Sequence, residues 1–460
     1  MSDNLKRQLF GTDGIRAKAG EYPLTPEIVV KLGQAAADAF LVRRNASHEW
    51  PTVILGRDTR QSGDMLESAF AAGLNSRGID VRLAGMIPTP AVAFLTSDLK
   101  AAFGVVISAS HNPFYDNGIK FFGPDGCKLS DALELEIEHR LLEKESFSTA
   151  DFEGIGRSGA LDKATERYVH FIRNGPGQGN DTLLSGLTIA LDSANGSGFQ
   201  SSEALLHSLG AKVIGFHNRP SGLNINEECG CTYPREIEKL VRESGADVGV
   251  SHDGDADRVL FCDETGSALD GDEMMAITAL FMMEEGALRG NTLVATVMSN
   301  LALDKAVGQA GGNVLRAGVG DRSVIDLMKK GDYNFGGEQS GHFIFRDFLP
   351  TGDGLVSAVQ FLRIMKHKGK PLSELRKVLT RFPQAQRDVR IKAKPPLEEL
   401  PSVSGKISQI TKTLGEQGRI LVRYSGTEPL LRVLIEGSDA DAIEKEVEEL
   451  VQLIQEEIGE

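Results

Sequence analysis

Cysteine is scarce in this chain: Cys127, Cys229, Cys231 and Cys262 are the only four in 460 residues. None belongs to a Cys-x-x-Cys pair, and Cys229-x-Cys231 is too close for ordinary zinc spacing. A disulfide scaffold and a zinc ribbon are therefore excluded, and reduced thiols in a reducing cytoplasm are expected. Long apolar runs are also missing. No stretch approaches the roughly 20 residues of a membrane span, and the opening MSDNLKRQLFGTDG lacks the apolar centre of a signal peptide. Positive charge is in deficit: Lys+Arg 50 against Asp+Glu 65 gives a net charge of -15. Such a chain repels nucleic acid and anionic membranes on average, so any anion it binds needs a local cluster of Arg and Lys.

What is present is the make-up of an ordinary globular protein, 41% hydrophobic and 25% charged. The length implies about three or four domains. Strands are expected at Thr52–Leu55, Val81–Ala84 and Phe103–Ile107, with a helix over Pro26–Leu41 behind Thr25. Gly, Ser and Asp mark a boundary at Phe147–Gly159. A second series has strands at Leu187–Leu191, Val213–Phe216 and Val248–Ser251. A third has Thr292–Val297, Leu315–Val319 and, as its short last strand, Asn334–Gly337. This alternation implies βαβ units and mostly parallel sheets. After Leu379 the pattern changes: Pro395, Pro396 and Pro401 mark a loop, strands are expected at Arg419–Val422 and Arg432–Glu436, and Ala440–Ile454 reads as an amphipathic helix. This smaller unit reads as α+β.

The run FGVVISASHNPFYDNGIK (Phe103–Lys120) ends a buried strand in small polar residues. A serine there stands where open α/β sheets place ligands, with His111 beside Ser110 and Lys120 ten residues on. That set can carry covalent chemistry on a hydroxyl, although a lone Ser-His pair more often only caps a turn. In His252–Arg258, Asp253, Asp255 and Asp257 alternate and can converge on one hard cation such as Mg²⁺. An EF-hand is rejected, because Arg258 stands where glycine is needed and a strand leads in; a solvated acidic turn is the plain alternative. Arg258 suits an anion near the metal. Arg423, Ser425, Gly426, Thr427 and Arg432 combine guanidiniums, hydroxyls and an open glycine backbone, which reads as a phosphate clamp rather than a plain hairpin turn. Glu338 and Ser340 share one side of an extended segment and can grip sugar hydroxyls, with His342 as proton donor or acceptor. Gly11–Arg16 is a glycine-rich loop with one guanidinium, Arg16. Each loop alone could be a surface turn; together they could converge on one cleft.

Taken in order, GTDGIR, SASHNP with Lys120, DGDADR, GEQSGH and RYSGTEP resemble the α-D-phosphohexomutase superfamily across nearly the whole chain. Leu223–Gly230 and Gln339 resemble its bacterial branch that acts on glucosamine phosphates. The resemblance implies an α/β fold of three mixed α/β domains plus a smaller α+β carboxy-terminal domain around a central cleft, with boundaries at 1–160, 161–264, 265–378 and 379–460. It implies that Ser110 is carried as phosphoserine and shares one Mg²⁺ per chain with the three aspartates. Catalytic roles are expected for Ser110, Lys120 as general base, His342 as acid, His111 and Arg16, and substrate binding for Glu338, Ser340, Arg258, Arg423, Ser425, Gly426, Thr427 and Arg432. A sugar 1,6-bisphosphate is the expected activator, and a hinged fourth domain would close the cleft against water. The expected reaction is glucosamine 6-phosphate to glucosamine 1-phosphate. The alternatives are a mutase of glucose or mannose phosphates and a non-catalytic sugar-phosphate sensor, which needs no nucleophile. The expected partners are small sugar phosphates, with neither nucleic acid nor membrane, in a cytoplasmic monomer or homodimer. Three positions depart from the family pattern: Ala17 and Ala256 where glycine is usual or common, and His252 where an apolar residue is more usual.

Overall fold

All five residues of the strand Phe103–Ile107 are buried, as a continuous apolar run should be when both faces of a sheet are covered. The structure, a computed structural model, describes residues 7–11, 13–41, 51–175, 182–425 and 428–460. The chain divides into two units, Met1–Met298 with Leu315–Arg376, and Ser299–Val314 with Lys377–Glu460.

The first unit carries the sheets that build the site. Its amino-terminal sheet has seven strands in the order Phe10–Gly11, Gly14–Lys18, Asp116–Phe122, Phe103–Ile107, Thr52–Arg57, Asp80–Met86 and Ser158–Ala160. The strands from Phe103–Ile107 to Ser158–Ala160 run parallel, and Asp116–Phe122 returns antiparallel beside Phe103–Ile107. That return pairs Lys120 with Val106, so a polar side chain two strands from the sheet edge is fixed by register. The predicted helix Pro26–Leu41 forms over those residues.

A five-stranded sheet follows, in the order Ala268–Leu269, Val259–Cys262, Val248–His252, Thr188–Asp192 and Lys212–Phe216. Val248–His252 and Val259–Cys262 are antiparallel, with His252 opposite Val259, so Asp253–Arg258 is the connecting turn of a hairpin. The four-stranded sheet runs Asn313–Ala317, Thr292–Thr296, Phe335–Gly337 and Phe343–Phe345. Two expectations need correction here. Phe335–Gly337 is not the last strand, because a three-residue partner, Phe343–Phe345, pairs antiparallel with it and is too short to show periodicity. The strand expected at Leu315–Val319 lies at Asn313–Ala317, because Gly320, at φ +104°, already turns the chain into the helix Asp321–Lys330.

The second unit contains a three-stranded antiparallel sheet with Leu430–Gly437 between Gln384–Arg390 and Gly418–Tyr424. The helix Ala440–Ile458 buries Ile443, Val447, Leu450 and Ile454, the stripe read from the sequence. Gln384–Arg390 escapes sequence reading, since only Ala385 and Val389 are apolar and buried in it. No described helix is long and apolar enough to cross a membrane.

Candidate active site

Ser110 stands three residues beyond the buried strand Phe103–Ile107 and adopts φ +52°, a left-handed conformation that costs a non-glycine residue about 1–2 kcal/mol. The surroundings hold it there. Its carbonyl accepts from Arg60 Nη2 at 3.1 Å and from Asn226 Nδ2 at 2.9 Å, and both donors also reach the carbonyl of Asn112. Its N–H donates to Ser108 Oγ at 2.9 Å. The side chain is thereby aimed so that Oγ donates to Asp253 Oδ2 at 2.6 Å, with His111 Nδ1 at 3.2 Å. Ser108 itself is completely buried and serves as this backbone acceptor. Gly254 gives the arrangement its room: a Cβ there would fall 2.7 Å from both Asn226 Nδ2 and Ser110 O.

Ser110 opens on a cavity of about 390 Å³ that is also lined by Arg16, His111, Asp257, Arg258, Glu338 and His342. Residues from four separate sequence motifs of the first unit thus share one wall. Ser340 is exposed and is not among the lining residues. Asp253, Asp255 and Lys120 lie beneath the cavity surface, each 2% exposed or less. The sequence reading missed three charged lining residues, Asp13, Lys128 and Asp321. Lys128 bridges Asp13 and Asp321, the second at 2.5 Å, which ties the amino-terminal sheet to the helix Asp321–Lys330. Asp13 lies inside the glycine-rich motif and was visible as a charge; nothing in the local pattern marks Lys128.

The charges are arranged in opposition. Lys120 Nζ lies 2.8 Å from Asp13 and 2.9 Å from Asp255. Burial works against its charge, but Asp13, Asp255 and Asp257 outweigh that and hold the ammonium well above the ordinary lysine range. The expected general base is therefore an ammonium here, able to take a proton only once carboxylate charge is withdrawn from it. His111 is the reverse case. Burial, then Arg258 and Arg16, lower it to about 4, so its ring is neutral near pH 7. His252 is also neutral, lowered to about 4 by burial. It bonds Ser202 Oγ at 2.9 Å and the Arg258 carbonyl at 3.0 Å, and is a structural support of the aspartate turn.

Asp253, Asp255 and Asp257 each turn an oxygen to a point where all three lie within 4.8 Å of one another. Burial and the neighbouring carboxylates push Asp253 and Asp257 upward. Oδ1 of Asp255 and of Asp257 is buried without a hydrogen-bond partner, and Thr89 Oγ1 and Lys120 occupy Asp255 Oδ2. Hard oxygen donors left unpaired and mutually repelling fit a divalent cation. Arg258 Nε and His342 Nδ1 are likewise buried without partners. Polar atoms left unsatisfied at a cavity are those a ligand completes.

In the second unit Arg423 and Arg432 are directly opposite across antiparallel strands. Burial and then Arg432 lower Arg423 from its usual range. Like charges so paired are unfavourable, which an anion between them would reverse. Ser425 follows in the same turn and is buried, while Gly426 and Thr427 lie outside the described residues.

Four successive domain profiles match this chain in order: phosphoglucomutase/phosphomannomutase alpha/beta/alpha domain I at residues 7–148, domain II at 166–266, domain III at 270–382 and the C-terminal domain at 374–453. The chain belongs to the phosphoglucomutase/phosphomannomutase family. Among relatives of this phosphohexomutase, the phosphoglucosamine mutase of Syntrophotalea carbinolica is 48% identical over 456 residues, covering 99% of each chain. That of Pelobacter propionicus is 46% identical over 456 residues, again covering 99% of each. A Burkholderia thailandensis phosphoglucomutase/phosphomannomutase family protein has the same fold, with a TM-score of 0.81 at 22% identity and 97% of each chain covered. So does the Aspergillus fumigatus N-acetylphosphoglucosamine mutase solved with GlcNAc-6P and magnesium, at a TM-score of 0.65, 16% identity and coverage of 99% of this chain and 97% of that one.

Proposed function

We propose that this phosphohexomutase interconverts glucosamine 6-phosphate and glucosamine 1-phosphate through a phosphorylated Ser110. The observation that carries the chemistry is the Ser110 hydroxyl, fixed 2.6 Å from Asp253 in the wall of a cavity edged by guanidiniums. The choice of an amino sugar rests on full-length relatives named phosphoglucosamine mutase.

In the forward direction, phosphoserine gives its phosphoryl group to the 1-hydroxyl of the sugar. The bond from phosphorus to Ser110 Oγ breaks, one to the sugar oxygen forms, and the proton of the sugar hydroxyl passes to the departing serine oxygen, which becomes a hydroxyl again. The bisphosphate then reorients and returns its 6-phosphoryl group to Ser110. Such transfers depend on placement and charge neutralisation more than on covalent help. Arg60 and Asn226 fix the serine backbone. Arg258, Arg16 and the Lys120 ammonium face the phosphoryl charge. His111, neutral and 3.2 Å from Oγ, can hold a proton beside the reacting oxygen. Glu338 and His342 line the same cavity and are assigned to sugar hydroxyls and proton transfer, with Ser340 on the turn between them. Arg423, Ser425, Gly426, Thr427 and Arg432 are assigned to the phosphate that does not react.

Asp253, Asp255, Asp257 and a phosphoserine oxygen would hold one Mg²⁺. The ion supplies charge neutralisation at the phosphoryl group and offsets the carboxylates that keep Lys120 protonated. Without a cation, a phosphoryl dianion on Ser110 would sit against the Asp253 carboxylate, a costly contact at low dielectric. A sugar 1,6-bisphosphate is the proposed activator that charges Ser110.

The test compares kcat/KM for glucosamine, glucose and mannose phosphates with one bisphosphate activator. The glucosamine phosphate should be preferred, with weaker turnover of glucose phosphate, because exchanging a hydroxyl for an amine changes a single contact. A higher value for glucose or mannose phosphate overturns the amino-sugar assignment.

A further inference from the structure

The phosphoryl chemistry has no use for a group of donors at the same end of the five-stranded sheet as the aspartate turn, where Asp192 pairs with Ser251. Asp192 ends the strand Thr188–Asp192, His217 follows the neighbouring strand Lys212–Phe216, and Cys229 lies in a later turn. One ligand atom from each, a carboxylate oxygen, an imidazole nitrogen and a thiol sulfur, lies within 4.8 Å of the other two. His217 Nδ1 is 3.1 Å from Asp192 Oδ1. That is close to the edge of a tetrahedron, about 3.3 Å, built on metal bonds of about 2.0–2.1 Å.

The carboxylate is oriented from behind, as ligating carboxylates are. Ala194 N–H donates to Oδ1 at 2.9 Å and Gly230 N–H to Oδ2 at 2.8 Å. Cys229, completely buried, forms no disulfide and has no hydrogen bond to its thiol among the described residues. It is an unpartnered sulfur turned toward an imidazole and a carboxylate. The His217 side chain is 28% exposed, which gives an ion a way in from solvent.

We propose that Asp192, His217 and Cys229 form a second metal site that takes Zn²⁺ or a similar borderline transition ion, with water in the fourth position. Sulfur and imidazole donors select such an ion over Mg²⁺, whereas the aspartate turn, all oxygen, does the opposite. Binding releases the thiol proton, and any proton on the imidazole, to solvent. The ion would tie together the two loops that position Asn226, whose N–H donates to Ala194 O at 2.9 Å. The site is independent of the substrate assignment.

The experiment titrates the metal-free, full-length protein with Co²⁺ in excess Mg²⁺ and reads the thiolate-to-cobalt charge-transfer absorption. One equivalent should produce the band, Zn²⁺ should displace it, and Cys127→Ser should keep it while Cys229→Ser loses it. Zn²⁺ should raise the Tm of the wild type and leave that of Cys229→Ser unmoved. If Cys229→Ser does not fold, His217→Gln at its half-buried position carries the test, with Co²⁺ affinity weaker by at least roughly 10–100-fold. Absence of a band at saturating Co²⁺, a band unchanged in Cys229→Ser, or unchanged affinity in His217→Gln overturns the proposal.

Discussion

Asn226 donates through a single amide nitrogen to two carbonyls of the nucleophile loop, Ser110 O at 2.9 Å and Asn112 O at 3.0 Å. The asparagine belongs to the five-stranded sheet's loops and the serine to the seven-stranded sheet, so the serine's geometry depends on how the two layers dock. Asn226→Ala should lower kcat by about 10–100-fold with little change in KM, since a small misplacement of a reacting group is costly. Asn226→Asp should be worse, because it sets a carboxylate against two carbonyl oxygens. Steady-state kinetics check this, and wild-type kcat in both variants would remove the positioning role.

Phosphate should map to Ser110 and not to Ser108, which is buried and committed to the Ser110 N–H. Intact mass and peptide mapping after sugar bisphosphate treatment give the answer. Ser110→Ala should take up no phosphate and should not turn over substrate. Phosphate found only on Ser108, or undiminished turnover, would refute the nucleophile.

Asp257 and Asp255 should separate stability from activity. Burial and Asp255 push Asp257 upward, so its charged form destabilises the metal-free fold. Asp257→Asn should raise the Tm of the metal-free protein, abolish the further rise on adding Mg²⁺, and collapse kcat. Asp255→Asn should also collapse kcat, but it removes the carboxylate that pairs with Lys120 and accepts from Thr89, and so should lower the Tm. Calorimetry with and without chelator checks both; equal Mg²⁺ stabilisation in Asp257→Asn and wild type would exclude the metal role.

Arg423→Ala should weaken substrate affinity by about 10–100-fold while leaving the folded sheet intact, since a charge-assisted contact is worth roughly 1.5–3 kcal/mol. Titration calorimetry with inorganic phosphate and with the sugar phosphate measures it, and unchanged binding of both would return this turn to a plain connection.

Asp353 caps the helix Gly354–Lys368 through Leu355 N–H and Val356 N–H and accepts from Tyr168 Oη at 2.7 Å. Complete burial nonetheless raises its carboxyl from 3.8 to about 6. The folded state therefore holds this proton more tightly than the unfolded chain does. Its contribution to stability falls as pH rises between about 4 and 6, by an amount on the order of 2–3 kcal/mol. Asp353→Asn keeps a capping acceptor and removes that slope. Denaturant melts across the window should show the variant gaining on wild type as pH rises; parallel curves would contradict it.

Much of the fold was legible because its strands are apolar runs closed by glycine and proline. Helix Pro26–Leu41 and the buried strand Phe103–Ile107 are examples. What escaped was set by tertiary pairing. Phe343–Phe345 is a strand only because Phe335–Gly337 lies beside it. The candidate site divides in the same way. Ser110, the aspartates and Arg258 sit in dense local motifs. Lys128 gains its role from Asp13 and Asp321, which are far apart in sequence, and Arg60 and Asn226 act through backbone carbonyls that no pattern records. The charge state of Lys120 was also beyond reach, because three carboxylates from two loops fix it.

The pairing of Val106 with Lys120 limits how this chain can vary in length. Between Ser110 and Lys120 the chain makes one turn and re-enters the sheet, where neighbouring side chains point to opposite faces. A single inserted or deleted residue that shifted this register would bring Ile119 or Phe121 to the place of the ammonium and turn the lysine to the other face. Even a two-residue shift, which restores the face, would set Gly118 or Phe122 opposite Val106, so length changes here are tolerable only where the turn or a bulge absorbs them, and any that moves the register should be as damaging as loss of the lysine itself.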